Sequence, residues 1–147
     1  DNTIIASTWE IFTHDTNGPS DTFTILSHIV RSFKLKLTNV LACGFTENKC
    51  RVLPNANGLM NNGVNWNRKD RVFIADSLGK VIREYKLNNH LDYKLLTLEL
   101  VKEYNLNYTL DNLVFDEANN KLYVGLVGRS GAYIHLVEYI LLYELSS

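Results

Sequence analysis

The sequence predicts an all-β chain built as part of a β-propeller, with one amphipathic helix inserted ahead of the repeated strands. The leading observation is a repeat. Asn62-Gly63-Val64-Asn65-Trp66, a polar loop and Arg71-Val72-Phe73-Ile74-Ala75 return some fifty residues later. The second copy reads Asp111-Asn112-Leu113-Val114-Phe115, a polar loop and Lys121-Leu122-Tyr123-Val124-Gly125. Ala75 follows Asn62 by thirteen residues and Gly125 follows Asn112 by the same interval, which pairs the two asparagines. Repeats of short strands at about this period are the mark of a propeller blade. The remaining segments are mostly short runs of β-branched and aromatic residues between Gly, Asn and Asp turns, and only one stretch has helical spacing. A blade needs roughly 40–50 residues, so the 147 residues from Asp1 are expected to be one partial propeller domain, a fragment of a longer chain.

Taken in order, residues 3–12 read as a strand, and Thr16-Asn17-Gly18-Pro19 as a loop. Ser20 or Asp21 caps a helix over 21–35, whose stripe is Phe23, Leu26, Val30 and Phe33. Asn39–Phe45 and Lys49–Leu53 form a hairpin about Thr46-Glu47-Asn48, which sets Cys43 opposite Cys50. That pair suits either a cross-strand disulfide in an oxidising compartment or two reduced thiols. A zinc site does not follow from two cysteines with no histidine beside them. After a Gly/Asn-rich loop comes the first repeat copy, then a turn at Ser77-Leu78-Gly79-Lys80 and a strand over 81–87. Between Tyr93 and Tyr104, Leu96, Leu98 and Leu100 alternate with Thr97 and Glu99, which favours strand over helix. The second copy follows, and 132–144 reads as one or two further strands.

Composition excludes several partners. The net charge is −1 with both signs interspersed, so nothing favours nucleic acid. No apolar run approaches the roughly 20 residues of a membrane span. The polar positions of the repeat are more informative. In a propeller, Asn62 and Asp111-Asn112 would sit at equivalent points of successive blades and converge on the central channel. Amide and carboxylate oxygens meeting there are ligands for a hard cation such as Ca²⁺, which takes six to eight oxygens. Soft metals are disfavoured because no thiol or histidine cluster joins them. A structural role competes, since Asn-Gly is a common turn and Asp-Asn often caps a strand.

These motifs, with Asp76 and Lys80-Val81-Ile82 after the first copy, Asp116 in the second, and Phe12-Thr13-His14-Asp15 and Thr38-Asn39-Val40-Leu41 upstream, resemble the serum paraoxonase/arylesterase family. Strictosidine-synthase-like proteins share part of the pattern. The resemblance implies a six-bladed propeller with two calcium ions in its tunnel, of which this chain holds about three blades. It also implies hydrolysis of aryl esters or lactones. Carried over by motif, Asn62, Asp111 and Asn112 resemble ligands of the catalytic calcium. His14 stands where that family usually has a further Asn ligand, and Asp15 matches a ligand of the structural calcium. Asp111 is the implied catalytic carboxylate. Two departures, His14 itself and Leu126-Val127-Gly128 where a histidine is often found, fit a non-catalytic binding module instead. The other histidines, His28, His90 and His135, read as packing or surface residues, as do Trp9 and Trp66. Ser130 lacks a nucleophile-elbow setting. Asn107-Tyr108-Thr109 is a glycosylation sequon that has meaning only in the secretory pathway.

Overall fold

The computed structural model describes residues 3–7, 38–127 and 141–144. The fold is all-β, with three antiparallel sheets and no helix among the described residues. The expected helix over 21–35, together with His14 and Asp15, lies outside them. The first sheet joins β1 (Thr3–Ser7), β2 (Val40–Gly44) and β3 (Lys49–Val52). The second runs β4 (Asn61–Trp66), β5 (Arg71–Asp76), β6 (Val81–Asn88) and β7 (Thr97–Asn105) in chain order. The third orders β8 (Thr109–Asp116), β9 (Lys121–Val127) and β10 (Leu141–Glu144). Of the ambiguous stretch from Tyr93 to Tyr104, residues 97–104 are strand and 93–95 are turn. The expected hairpin carries Cys43 opposite Cys50 in its register, and the two sulfurs are joined in a disulfide.

The second sheet is apolar on both faces because it lies between the other two. Val72 and Ile74 of β5 pack with Val40, Ala42 and Leu53 toward the first sheet. Phe73 and Ala75 of the same strand pack with Leu110, Leu113, Leu122 and Val124 toward the third. Phe73 stacks on Phe115 with ring centroids 5.7 Å apart. A strand covered on both sides must read as a continuous apolar run, and Val72-Phe73-Ile74-Ala75 does. The first strands of the three sheets adjoin, β1 beside β4 and β4 beside β8. Arg51 of β3 adds an outer tie, donating its Nε–H to the Tyr93 carbonyl at 2.8 Å.

The loop entering β4 is pinned by a buried carboxylate. Asp76, fully buried at the end of β5, accepts backbone N–H bonds from Leu59, Met60 and Gly79, each at 2.9 Å. Its charge is met by Arg83 at 3.3 Å, and Arg83 in turn reaches Glu103 at 2.8 Å. Beside it, buried Asn61 donates through Nδ2 to the carbonyls of Ala56 and Thr38, while its own N–H bonds the Thr38 hydroxyl. Removing one member of a buried ion pair strands the other, which typically costs about 3–5 kcal/mol, whereas an exposed partner is worth about 0–1 kcal/mol. Asp76→Ala is therefore expected to lower unfolding free energy by about 3–5 kcal/mol in chemical denaturation. Glu103→Ala, at a side chain 44 % exposed, should cost no more than about 1 kcal/mol. Equal costs would contradict the clasp.

The two repeat copies close their turns with different chemistry. Asn67 Oδ1 accepts from the N–H groups of Lys69 and Arg71 in the turn between β4 and β5. In the turn between β8 and β9 the corresponding residue is Asp116, whose carboxylate accepts from the Asn119 side chain at 2.8 Å and from the Ala118 and Asn119 N–H groups. The Asn119 side-chain bond, helped by those N–H groups and Lys121, holds the Asp116 carboxyl below its ordinary value. A depressed folded-state value contributes stability above the unfolded pKa that is lost as pH falls through the folded one. Asn119→Ala should raise the Asp116 pKa toward its ordinary value in an NMR titration. It should also shrink the acid-dependent loss of stability from this turn, which then ends at a higher pH. The Asn67 turn should show no such titration.

Candidate functional site

Each repeat copy breaks its register at the expected polar residues. Asn61 pairs with Asp76 and Val64 with Ile74, so Asn62 and Gly63 together face the single residue Ala75. Leu110 pairs with Leu126 and Leu113 with Val124, so Asp111 and Asn112 together face Gly125. These are two β-bulges at matching positions, and a bulge bends its strand and re-aims the side chains of the extra residue and its neighbour. The candidate ligands thus lie inside the first strands of their sheets rather than ahead of them. Matched by bulge, Asn62 corresponds to Asp111 and Gly63 to Asn112. The expected correspondence of Asn62 with Asn112 is off by one because the second turn, 117–120, is a residue longer than the first, 68–70.

The bulges meet. Asn62 Nδ2 donates to Asp111 Oδ1 at 2.8 Å, linking side chains 49 residues apart, and both residues are half-buried. One strand pitch further on, Asn65 Nδ2 donates to the Leu113 carbonyl at 3.1 Å. The Ser77 hydroxyl donates to the carbonyl of Leu110 at the other side of the second bulge. From the first sheet, Ser7 Oγ donates to the Asn62 carbonyl at 2.6 Å, so the bulged residue is held from both neighbours. Asn112 lies next to Asp111 with an exposed side chain that bonds no other described residue. A cleft of about 180 Å³ opens over Asp111, Asn112, Tyr123 and Gly125.

Close approach of backbones makes this contact possible. A Cβ on Gly63 would lie 2.8 Å from the Asp111 carbonyl oxygen and 3.0 Å from both Asn112 Cα and Leu113 N. Those neighbours are main chain and cannot rotate away. The small residue closing the second copy has a related reason, since a Cβ on Gly125 would sit 3.4 Å from Asp111 Cβ. That distance is ordinary contact.

The donor set suits a hard cation in kind. Asn62, Asp111 and Asn112 offer two amide oxygens and a carboxylate. The Asn62 amide now turns its NH₂ toward Asp111, as it must when two oxygens would otherwise face each other. Rotation about its last torsion exchanges oxygen for nitrogen within the same volume. Number is another matter: one carboxylate and two amides fall short of the six to eight oxygens of a calcium shell. No group of three His, Cys, Asp or Glu side chains converges among the described residues. Of the four histidines only His90 lies among them, and it lines a different cavity. The sequence had no means of showing that Gly63 or Ser7 serve this contact, because their partners are distant in the chain.

Gly63→Ala should destabilise by about 1–3 kcal/mol, as overpacking against fixed backbone does. It should also break the Asn62–Asp111 bond, seen as loss of the amide's protected side-chain resonances by NMR. Gly125→Ala should be milder on both readouts; the reverse order would contradict the close approach of β4 and β8. Comparison with known proteins adds no relative: no family model matches the chain, and no curated protein matches it.

Proposed function

We propose that the three sheets are successive blades of a β-propeller and that the chain contributes to a calcium-dependent hydrolase of aryl esters or lactones. The observation that carries this reading is the direct contact of Asn62 with Asp111 through register-matched bulges of adjacent first strands. Stacked antiparallel sheets with their first strands side by side support the propeller. Residue motifs resembling the paraoxonase/arylesterase family support the chemistry. Asn62, Asp111 and Asn112 would hold the ion, with His14 and Asp15 proposed from the motif alone. When bound, calcium supplies Lewis-acid polarisation of a carbonyl and favours negative charge on its oxygen. The chain's own residues divide the remaining work. Without the ion Asn62 fixes the orientation of the Asp111 carboxylate, Ser7 fixes the backbone of Asn62, and the cleft beside Gly125 leaves room for the acyl group. Asp111 Oδ2 is the acceptor for a proton from attacking water.

A second reading has its own observation. No histidine reaches this cleft among the described residues, so Asp111 is the one strong proton acceptor lining it. That suits a binding module which keeps the fold without turnover.

The full-length protein is expected to hydrolyse phenyl acetate or a γ-lactone and to lose that activity in EGTA, with recovery on added Ca²⁺. Asp111→Asn should lower kcat by about 10²-fold or more, the usual worth of a positioned proton acceptor, and should weaken calcium binding by calorimetry. Calcium binding without turnover on either substrate would select the binding module. Failure to bind calcium at all would end both versions of the site.

A further inference from the structure

A larger cavity, of about 490 Å³, lies at the opposite end of β4 from Asn62, lined by all three sheets, the third through Val114 and Phe115. That volume is within the range of small-molecule sites, roughly 300–1,000 Å³. Its floor is apolar, formed by Ile5, Val64, Leu87 and Leu96, the last two being part of the buried core. Trp66 and His90 stand at its side with ring centroids 6.3 Å apart. The indole is 42 % exposed, although a tryptophan at this strand position reads from sequence as packing.

The polar groups of this cavity share one preference. Arg68 lines it and makes no ion pair with a described residue. Its backbone is left-handed, with φ 61°, where glycine or asparagine would be easier, so the guanidinium is held there at a conformational cost. Thr3 Oγ1, also in the lining, is buried with no hydrogen-bond partner among the described residues. Buried hydroxyls are normally satisfied, and an orphan one calls for an explanation. Among the described residues no Asp or Glu lines the cavity. An apolar floor with an aromatic side, an unpaired cation and a spare hydroxyl suits a ligand with an apolar body and an anionic end.

The geometry points to a binding site for a small amphipathic carboxylate, an aryl- or alkyl-carboxylic acid. Its hydrocarbon part covers Val64 and Leu96 against Trp66. Its carboxylate takes the paired N–H donors of Arg68, the geometry in which arginine outperforms lysine. The site is separate from the Asn62–Asp111 contact and does not depend on calcium or on turnover.

The test uses the full chain in EGTA, titrated with 4-phenylbutyrate and with its neutral amide, followed by tryptophan fluorescence and by the His90 ring signals in NMR. Saturable binding of the carboxylate is expected, with the amide at least about ten-fold weaker, as loss of a charged hydrogen bond implies. Arg68→Ala, at an exposed turn residue, should cost about ten-fold, with Arg68→Lys recovering only part. Asp111→Asn should leave the affinity unchanged. Absence of saturable binding at millimolar carboxylate, equal affinity for the amide, or indifference to Arg68→Ala would each overturn the proposal. Loss of binding in Asp111→Asn would move the ligand to the other site and overturn it equally. Failure of ester hydrolysis, by contrast, leaves this assignment standing.

Discussion

The arrangement depends on β4 and β8 approaching main chain to main chain at Gly63. With no Cβ there, the Asp111 carbonyl and the Leu113 amide come within contact distance of the neighbouring strand. Each strand is bulged at that level, and bulges let two strands from different sheets come close without competing for ladder hydrogen bonds. The Asn62–Asp111 bond, the Asn65 bond to Leu113 and the placement of Phe115 on Phe73 all require this spacing. An added methyl would spread the strands and weaken each of them together. The tie from Ser7 extends the same constraint to the first sheet, because it bonds the carbonyl of the bulged residue itself.

Much of the strand pattern was legible because it rests on local chemistry. The hairpin about Thr46-Glu47-Asn48 needs only a turn and two alternating arms, and its register, with Cys43 opposite Cys50, follows from counting outward. Of the leucines before Tyr104, Leu96 and Leu98 are buried, whereas Leu100, further along the outer strand β7, is half exposed. The repeat was legible as a repeat, but its alignment slipped by one residue. Counting from Asn62 to Ala75 treats both turns as equal, whereas the Asp116 turn holds one more residue than the Asn67 turn. A one-residue slip in a strand exchanges its faces. Here the bulges absorb it, and they leave no local sequence mark beyond the polar pair itself.

The candidate site was legible in its residue types and not in its contacts. Asn62 and Asp111 stand out as polar residues at the starts of apolar strands, yet their bond joins positions 49 residues apart. Asp76 carried a motif position and no role. Its purpose appears only when the loop over Leu59 and Met60 folds back onto its carboxylate. Asn61, next to Asn62 and of the same type, does purely structural work on Ala56 and Thr38. Sequence cannot divide those two asparagines, since the division comes from which side of the bulge each occupies. Trp66 and His90 were read singly as packing or surface, and Arg68 drew no reading. Their common cavity is made by β1 and by the loop after β6, elements far from each other in the chain.

β4 therefore carries different chemistry at its two ends, and burial explains the division. At Asn62 the strand is enclosed by neighbours on both sides, so polar groups there must satisfy one another or hold something that satisfies them. The Asn62 amide is matched to the first task, and by rotation in place to the second, because its oxygen and nitrogen occupy nearly the same volume. A hydrogen-bonded amide and carboxylate is a stable contact without a cation. Toward Trp66 the cavity floor is apolar, and Arg68 and the Thr3 hydroxyl lack partners among the described residues. One end of the strand is self-satisfied and adjustable; the other is unsatisfied and open. The ligands proposed for the two ends, an oxygen-seeking cation and an apolar anion, follow from that difference in satisfaction.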